Sequence, residues 1–142
     1  MLVSTKGRYA LRVMVDLAEN NTGEPLLLVD VARRQEISEK YLEGIMAVLS
    51  KHGFVTAQRG RGGGYKLSRR PDEYTVGSIL RLIEGPLAPV SCLEGGSNTC
   101  PRAAECRTLP MWTKLNELIN DYLDSVTLAD LAFQGGGGDY VI

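Results

Sequence analysis

The segment between residues 28 and 53 constrains the fold most, because it holds two short helical patterns separated by a very short connection. A first helix is predicted from the sequence LLLVDVARRQ and starts near Val29 or Asp30. A second helix has a good N-cap in Ser38 and a C-terminal stop in Gly53. Its apolar face consists of Tyr41, Leu42, Ile45, Met46 and Leu49. Two short helices joined by a tight turn predict a helix-turn-helix, whose second helix turns its polar face outward.

A glycine-rich hairpin is predicted directly after the second helix. Phe54-Val55 and Tyr65-Lys66-Leu67 alternate like two strands around a glycine-rich loop. The loop between them carries Arg59 and Arg61 among four glycines, so two cations lie on a backbone that can approach another molecule closely. A hairpin at this place is a wing. A nucleotide phosphate loop is disfavoured, because this loop joins two strands and lacks the Gly-Lys-Ser/Thr ending.

Three further helical patterns surround these elements and make the predicted fold mainly α. One runs from Thr5 to Asn20, and a second covers TVGSILRLIEG at residues 75–85. The third is predicted as one long helix from Met111 to Ala132, with an apolar stripe formed by Trp112, Leu115, Leu118, Ile119, Tyr122, Leu123 and Val126. Such a stripe packs either on its own domain or on a twin helix across a two-fold axis, and we favour the dimer.

Charge is divided unevenly along the chain. The formal net charge is −1 over 142 residues, but residues 1–71 carry twelve Lys and Arg against seven Asp and Glu, and residues 72–142 carry four against ten. The positive first half favours a polyanionic partner, with a chance distribution of surface charge as the alternative. The apolar runs are too short to span a bilayer and the first residues lack a secretory signal pattern, so we expect a cytoplasmic protein without membrane contact.

The three cysteines, Cys92, Cys100 and Cys106, lie within fifteen consecutive residues. An odd number in a chain expected in the cytosol argues against a disulfide framework and favours a metal, cluster or redox site. Three thiolates leave one coordination position of an iron–sulfur cluster for another ligand, and zinc accepts the same donors. We favour a cluster, with zinc or a metal-free thiol switch as the alternatives. The surrounding residues 86–110 predict a long loop with a helical turn at 102–105.

Four motifs of the chain occur in an order and spacing that resemble a known family. They are STKGRYALRVMVDLA, ISEKYLEGIMAVLSKHGFV, RGRGGGYKLS and TVGSILRLIEGP. The family is that of the bacterial winged-helix repressors typified by the iron–sulfur cluster regulator IscR, with NsrR, RirA and CymR types, and the resemblance covers about residues 1–132. It implies a winged helix-turn-helix with a small β-hairpin wing and a long C-terminal dimerisation helix. It also implies a homodimer that regulates transcription, as a repressor, from a pseudo-palindromic site on double-stranded DNA.

The resemblance further implies that the three cysteines hold an iron–sulfur cluster, with a 2Fe–2S cluster favoured and a 4Fe–4S cluster as the alternative. Members of the family respond to cluster status, iron, nitric oxide or cysteine supply. This chain departs from the IscR type in two ways: the first cysteine gap has seven residues rather than five, and Leu109 stands where that type has a histidine. Other members take a fourth ligand from an acidic or histidine side chain near the start of the partner's first helix, where this chain has Arg8 and Arg12. The fourth ligand is therefore left open.

The predicted DNA-contact residues are Lys6, Arg8, Ser38, Lys40, Tyr41, Glu43, Arg59 and Arg61. Ser38, Lys40 and Glu43 are expected to reach base edges or adjacent phosphates. The Tyr41 hydroxyl is expected to reach a phosphate, with its ring as part of the core face of the helix as the alternative. Arg59 is expected to enter the minor groove or clamp its phosphates, with Arg61 assisting. Lys6 and Arg8 are expected to contact phosphates, with solvated surface cations as the alternative.

These inferences divide the chain into four parts. Residues 1–85 form the winged helix-turn-helix domain, 86–110 the cysteine-containing sensor loop, 111–134 the dimerisation helix region and 135–142 a flexible glycine-rich tail.

Two other functions remain open from the residues alone. A small electron-transfer protein would use the cysteines, but the chain has no CxxC pair and such a carrier does not need a winged helix-turn-helix. A regulator of cysteine metabolism with the same fold is the other alternative. An enzyme is not expected, because the one histidine, His52, stands near no acid or nucleophile in the motifs.

Overall fold

The computed structural model describes residues 3–95 and 100–134. Within these ranges it contains helices α1 (Thr5–Glu19), α2 (Leu28–Gln35), α3 (Glu39–Lys51), α4 (Val76–Glu84), α5 (Leu109–Ser125) and α6 (Leu128–Ala132). Strands β1 (Val55–Gln58) and β2 (Gly64–Leu67) pair in an antiparallel hairpin between α3 and α4. The mainly helical fold with a hairpin wing is the predicted one. In the described part of the chain, no helix has both the length and the apolar character to cross a bilayer.

Helix α1 forms at the place that its periodicity predicts. The Ser4 hydroxyl caps it by accepting a hydrogen bond from the Gly7 amide at 3.1 Å, and Asn20 ends it. Its inner face lies in a core shared with α3, α4 and the wing, whose fully buried large side chains include Met14, Leu17, Leu42, Ile45, Met46, Leu49, Ile79 and Leu128. The core therefore joins the first 85 residues to helix α6.

The helix-turn-helix is built as predicted, with one correction. Helix α2 ends in Glu36, which adopts the left-handed conformation, and the Ser38 hydroxyl caps α3 by accepting from the Tyr41 amide at 3.1 Å. The other apolar residues of the α3 face are buried, but the Tyr41 side chain is 42% exposed. Tyr41 therefore does not belong to the core face, since its position in the first turn of α3 lies beyond the edge of the core.

The glycines of the wing are needed because the backbone packs closely there. Leu26, in the segment before α2, pairs with Tyr65 of β2 through two backbone hydrogen bonds of 2.8 Å and so extends the hairpin. A Cβ atom on Gly64 would lie 2.2 Å from the Leu26 carbonyl oxygen, and one on Gly63 would lie 2.3 Å from that of Gln58. The motif RGRGGGY thus allows the wing to be tied to the start of α2.

The C-terminal region differs from the single long helix predicted from Met111 to Ala132. Helix α5 ends at Ser125, and α6 starts afresh with Thr127 as its cap, whose hydroxyl accepts from the Asp130 amide at 3.0 Å. The chain is extended at Val126, where its carbonyl accepts a 2.8 Å hydrogen bond from the Val76 amide. This tertiary hydrogen bond holds the break, and a helical periodicity in the sequence does not reveal it.

Polar side chains attach α5 to α4. The Arg81 guanidinium donates to both carboxylate oxygens of Asp124, at 2.8 and 2.9 Å, and to the Asn120 amide oxygen at 2.7 Å. This pairing with Asp124 raises the pKa of Arg81. A Cβ atom on Gly77 would lie 2.1 Å from the Asp124 carboxylate, so the glycine lets the two helices approach. Asn120 and Asp124 therefore face the domain, together with Leu123 and Val126, which pack on the buried cluster of Val76, Leu80 and Leu87. Only part of the apolar stripe, at Leu115, Leu118 and Tyr122, remains exposed.

Candidate nucleic-acid interface and cysteine segment

The N-terminal half of α3 presents an exposed polar face. Ser38, Lys40 and Glu43 are all exposed, as are Gly44 and Ala47 further along the same helix. The Ser38 hydroxyl already accepts the capping hydrogen bond, but it keeps its own proton for donation. The buried side chains of α3 lie on its opposite face and hold it on the core. This face has the hydrogen-bonding groups and the room that a helix needs to read base edges in a major groove.

Two tyrosines join the start of α1 to the start of α3. The rings of Tyr9 and Tyr41 meet edge to face with their centroids 5.7 Å apart, and the Arg12 guanidinium lies 5.1 Å from the centroid of Tyr9. Arg12 also donates to the side chain and to the backbone carbonyl of Gln35 at the end of α2. The Tyr9 ring thus holds the Tyr41 ring in place, while the Tyr41 side chain remains exposed to solvent.

The cations of α1 and of the wing are accessible. Arg8 is exposed and donates to the Thr5 hydroxyl at 3.0 Å, while Lys6 is half-buried. Arg59 and Arg61 are exposed in the loop between β1 and β2. The Tyr9–Tyr41 contact brings the first turns of α1 beside those of α3, so Lys6, Arg8 and the α3 residues lie at neighbouring helix starts.

An ion pair that the sequence did not predict fixes α2 on α1, on the inner side of the helix-turn-helix. Asp16 of α1 accepts hydrogen bonds from Arg34 and Gln35 of α2, and the hydrogen bond with Asp16 raises the pKa of Arg34. A signal was present in the sequence: Asp16 is an acidic residue that stands between apolar positions of the first helical pattern. An acid on a core face requires a partner, and Arg34 supplies it.

The cysteine segment lies between α4 and α5. Cys92 is in a short 3₁₀ turn, Ser91–Leu93, and Cys106 follows a second turn, Ala103–Glu105, near the predicted position 102–105. Cys92, Cys100 and Cys106 are each thiols of intermediate exposure. Among residues 3–95 and 100–134, however, no three Cys, His, Asp or Glu side chains converge in an arrangement that could hold a metal ion. The structure therefore places the three thiols on one segment without gathering them around one point.

Cys106 has the most distinctive surroundings of the three. Its sulfur lies 3.4 Å from the Thr108 hydroxyl, at the start of α5. Hydrogen bonding from Thr108, assisted by the positive charge of Arg102, lowers the pKa of the Cys106 thiol. At neutral pH a larger fraction of Cys106 than of an ordinary cysteine is therefore in the thiolate form, which is the form that reacts and binds metals.

The beginning of the cysteine segment is attached to the helices. Leu87 and Ala88 are buried, and the Leu87 carbonyl accepts a hydrogen bond from the Asn120 side chain of α5 at 2.8 Å. An open cleft of about 440 Å³ lies beside this contact and is lined in part by Arg81, Asn120 and Leu93, the last of which follows Cys92. A change of conformation at the beginning of the cysteine segment would therefore alter its contact with Asn120 of α5.

The comparison with known proteins identifies the family. Residues 3–134 match Rrf2, described as an iron-dependent transcriptional regulator. The chain is 39% identical over 132 residues to the HTH-type transcriptional regulator CymR of Bacillus subtilis, covering 93% of this chain and 90% of CymR. It is 37% identical over 131 residues to the regulator IscR of Erwinia tasmaniensis, covering 92% of this chain and 78% of that protein.

This chain belongs to the Rrf2 family. Solved structures agree: that of CymR, the global cysteine regulator of B. subtilis, has a TM-score of 0.76 over 93% of this chain and 96% of that one. IscR of T. potens has a TM-score of 0.76 at 37% identity, over 100% of this chain and 93% of that one. The fold is the winged helix-turn-helix of these proteins. As an Rrf2 member the chain is a DNA-binding transcriptional regulator and not an enzyme.

Proposed function

We propose that this chain acts as a homodimeric repressor that reads a pseudo-palindromic operator and reports iron–sulfur cluster, iron or redox status through its cysteine segment. The observation that carries the DNA-binding part is the exposed polar face of α3 beside the wing, both fixed on one core. Ser38, Lys40 and Glu43 would contact base edges or adjacent phosphates, with Glu43 able to accept from a cytosine amino group. Tyr41, Lys6 and Arg8 would contact the phosphates at the edge of this face.

The wing adds the second part of the proposed DNA surface. Arg59 and Arg61 lie in a loop whose other residues are glycines without side chains. This loop can therefore come close to DNA and place an arginine in a minor groove or along its phosphates. The wing follows α3 without a break, since the Phe54 amide donates to the Leu49 carbonyl at 2.8 Å. Contacts by α3 and by the wing would therefore be made together.

The dimer is supported by the way α5 is oriented. Its residues Asn120, Leu123 and Asp124 face α4. Four apolar residues spaced along its far side remain exposed: Met111 55%, Leu115 37%, Leu118 54% and Tyr122 67%. An apolar helix face of this kind on a small protein calls for a partner. The same face on a second copy provides one, because an interface around a two-fold axis pairs a surface with itself. Two α3 helices would then read two half-sites about one turn of DNA apart or more.

The donor chemistry of the cysteine segment fits an iron–sulfur cluster. Cys92, Cys100 and Cys106 are accessible thiols, and the lowered pKa of Cys106 favours the ligating thiolate. Because the three thiols do not converge here, ligation would require the segment to rearrange and would order it. A 2Fe–2S cluster is favoured over a 4Fe–4S cluster, and its presence or loss would supply the signal. Through Leu87 and Asn120 the rearranged segment would reposition α5 and so the dimer.

A regulator that works through thiols or zinc, without a cluster, is the second candidate. The 39% identity to CymR, a cysteine regulator, favours it. In this case chemical modification of the cysteines, or their binding of zinc, would change the segment.

The DNA-binding proposal is tested on a duplex selected from a random pool by the wild-type protein. Arg59→Ala is expected to weaken binding of this duplex and to lower the slope of log affinity against log salt by about one. Arg107→Ala, which removes an exposed arginine of the cysteine segment, is the matched control and should leave both unchanged. An unchanged slope for Arg59→Ala would show that the wing does not contact DNA.

The cluster proposal is tested on protein purified without oxygen. Wild type is expected to show visible absorption and to contain iron and acid-labile sulfide. Replacement of all three cysteines by alanine should abolish the absorption and remove the iron and the sulfide. Zinc in the wild-type protein, or no metal at all, would establish the second candidate instead. Loss of the cluster with unchanged DNA affinity would show that the cluster is not the signal for DNA binding.

A further inference from the structure

The root of the wing, where β1 begins and β2 ends, is held by one buried hydroxyl. Tyr74 lies just before α4 and its side chain is 0% exposed. Its hydroxyl donates to the Phe54 carbonyl at 2.6 Å and accepts from the Ser68 and Arg69 amides at 3.0 and 3.1 Å. Phe54 directly precedes β1, and Ser68 and Arg69 directly follow β2. One oxygen therefore satisfies three backbone groups and joins both ends of the hairpin.

The backbone of Tyr74 attaches this root to the C-terminal helices. The Leu128 amide, at the start of α6, donates to the Tyr74 carbonyl at 2.9 Å, and Leu128 is itself fully buried. Thr75 pairs with Thr127 in an antiparallel bridge at the same place. The break between α5 and α6 is thus fastened to the residue that holds the wing.

Arg69 closes the root on its outer side. Its guanidinium lies 5.2 Å from the ring centroid of Phe54 and 5.3 Å from that of Tyr74. The two rings lie 5.8 Å apart and support each other. The covering cation helps to keep water from the hydroxyl, so the three hydrogen bonds are not readily exchanged for bonds to solvent.

We propose that Tyr74 is a positioning residue for DNA binding. Its hydroxyl sets the angle at which the wing leaves the domain, and it sets that angle relative to the junction of α5 and α6. Arg59 and Arg61 would then reach DNA from a place determined partly by the C-terminal helices. This inference rests on the proposed contact of the wing arginines with DNA. It adds a residue that does not touch DNA, Tyr74, through which the position of α5 and α6 would affect the position of the wing.

The test uses Tyr74→Phe, which keeps the ring and removes the hydroxyl. Affinity for the selected duplex is measured across a range of salt concentrations, well below the unfolding temperature, for wild type, Arg59→Ala, Tyr74→Phe and the double variant. If Tyr74 positions the wing, Arg59→Ala lowers the salt slope by about one in the wild-type background and by roughly half of that or less with Phe at position 74. Tyr74→Phe alone is expected to weaken binding.

A control separates positioning from a general loss of stability. Val13→Ala truncates a buried side chain of α1 and removes no hydrogen bond, so it lowers stability without releasing the root of the wing. In this background Arg59→Ala should keep its full effect on the slope. Equal effects of Arg59→Ala with Tyr or Phe at position 74 would overturn the inference while leaving the wing contact intact. No effect of Arg59→Ala in the wild-type background would instead refute the proposed function of the wing.

Discussion

Asp16 and Arg34 form an ion pair across the interface of α1 and α2 in which the acid is almost completely buried. The guanidinium donates to the two carboxylate oxygens at 2.6 and 3.0 Å, and Asp16 is only 2% exposed. Gln35 adds a third hydrogen bond at 2.8 Å. Burial of a carboxylate is costly unless it has such hydrogen-bonding partners. The pair therefore favours the one packing of α2 on α1 in which these partners meet. The first helix of the helix-turn-helix thereby acquires a definite orientation behind α3.

Asp16→Ala is expected to lower the free energy of unfolding by about 2 to 3 kcal/mol, because it leaves Arg34 and Gln35 without their acceptor. The loss stays below that of a fully buried pair, since the Arg34 side chain is 34% exposed and can turn to water. Urea unfolding followed by circular dichroism measures it. Asp30→Ala, which breaks the exposed pair with Arg33, is the control and should cost less than about 1 kcal/mol. Similar losses in both variants would contradict the importance of burial.

Gly64→Ala is expected to lower the free energy of unfolding by about 2 kcal/mol or more, since the new Cβ atom would collide with the Leu26 carbonyl and the backbone has a positive φ of 143°. Gly44→Ala on the exposed face of α3 is the matched substitution. No atom lies within 4 Å of its added Cβ, so it should increase stability by about 0.5 to 1 kcal/mol. Denaturant unfolding of both variants gives the comparison, and a stable Gly64→Ala protein would argue against the close approach of Leu26 and the wing.

Leu118→Lys is expected to convert the proposed dimer into a monomer, because it places a charge in the exposed apolar face of α5. Glu117→Lys introduces the same side chain at the neighbouring exposed position and should leave the dimer intact. Sedimentation velocity distinguishes the two. Truncation after Pro110 is a poor test, since it also removes Leu128, which is fully buried in the core. A dimeric Leu118→Lys protein would place the interface elsewhere.

Cys106 is expected to be alkylated with a pH midpoint below that of an ordinary cysteine, because hydrogen bonding from Thr108 lowers its pKa by stabilising the thiolate. The rate of reaction with iodoacetamide is measured against pH in a protein with Cys92→Ser and Cys100→Ser. Thr108→Val should move the midpoint upward and slow the reaction at neutral pH. Thr113→Val, within α5, should not. A midpoint that Thr108→Val leaves in place would remove the assigned cause.

Much of the candidate site could be predicted because its signals are local. Ser38 caps α3 and Glu36 ends α2 within a few residues of each other, so the helix-turn-helix is visible in the sequence itself. Arg59 and Arg61 lie exposed in the wing loop, as their glycine neighbours indicated. Tyr41 was ambiguous because the same helical spacing describes a core residue and one beyond the edge of the core. Only the tertiary structure shows that its ring lies beyond that edge, against Tyr9, and remains exposed.

The sequence by itself determined the helix-turn-helix with its wing, the exposed face of α3 and the grouping of cysteines in one segment, since periodicity, caps and turns act over short stretches of chain. It did not determine the break between α5 and α6. The tertiary structure decided which distant groups meet: Asp16 with Arg34, the Tyr74 hydroxyl with the root of the wing, and Arg81 with Asp124. The last of these, together with the packing of Leu123 on the same side, decided which face of α5 lies against α4. Such pairs depend on how helices pack, because a buried polar group takes whichever partner the packing brings within hydrogen-bonding distance.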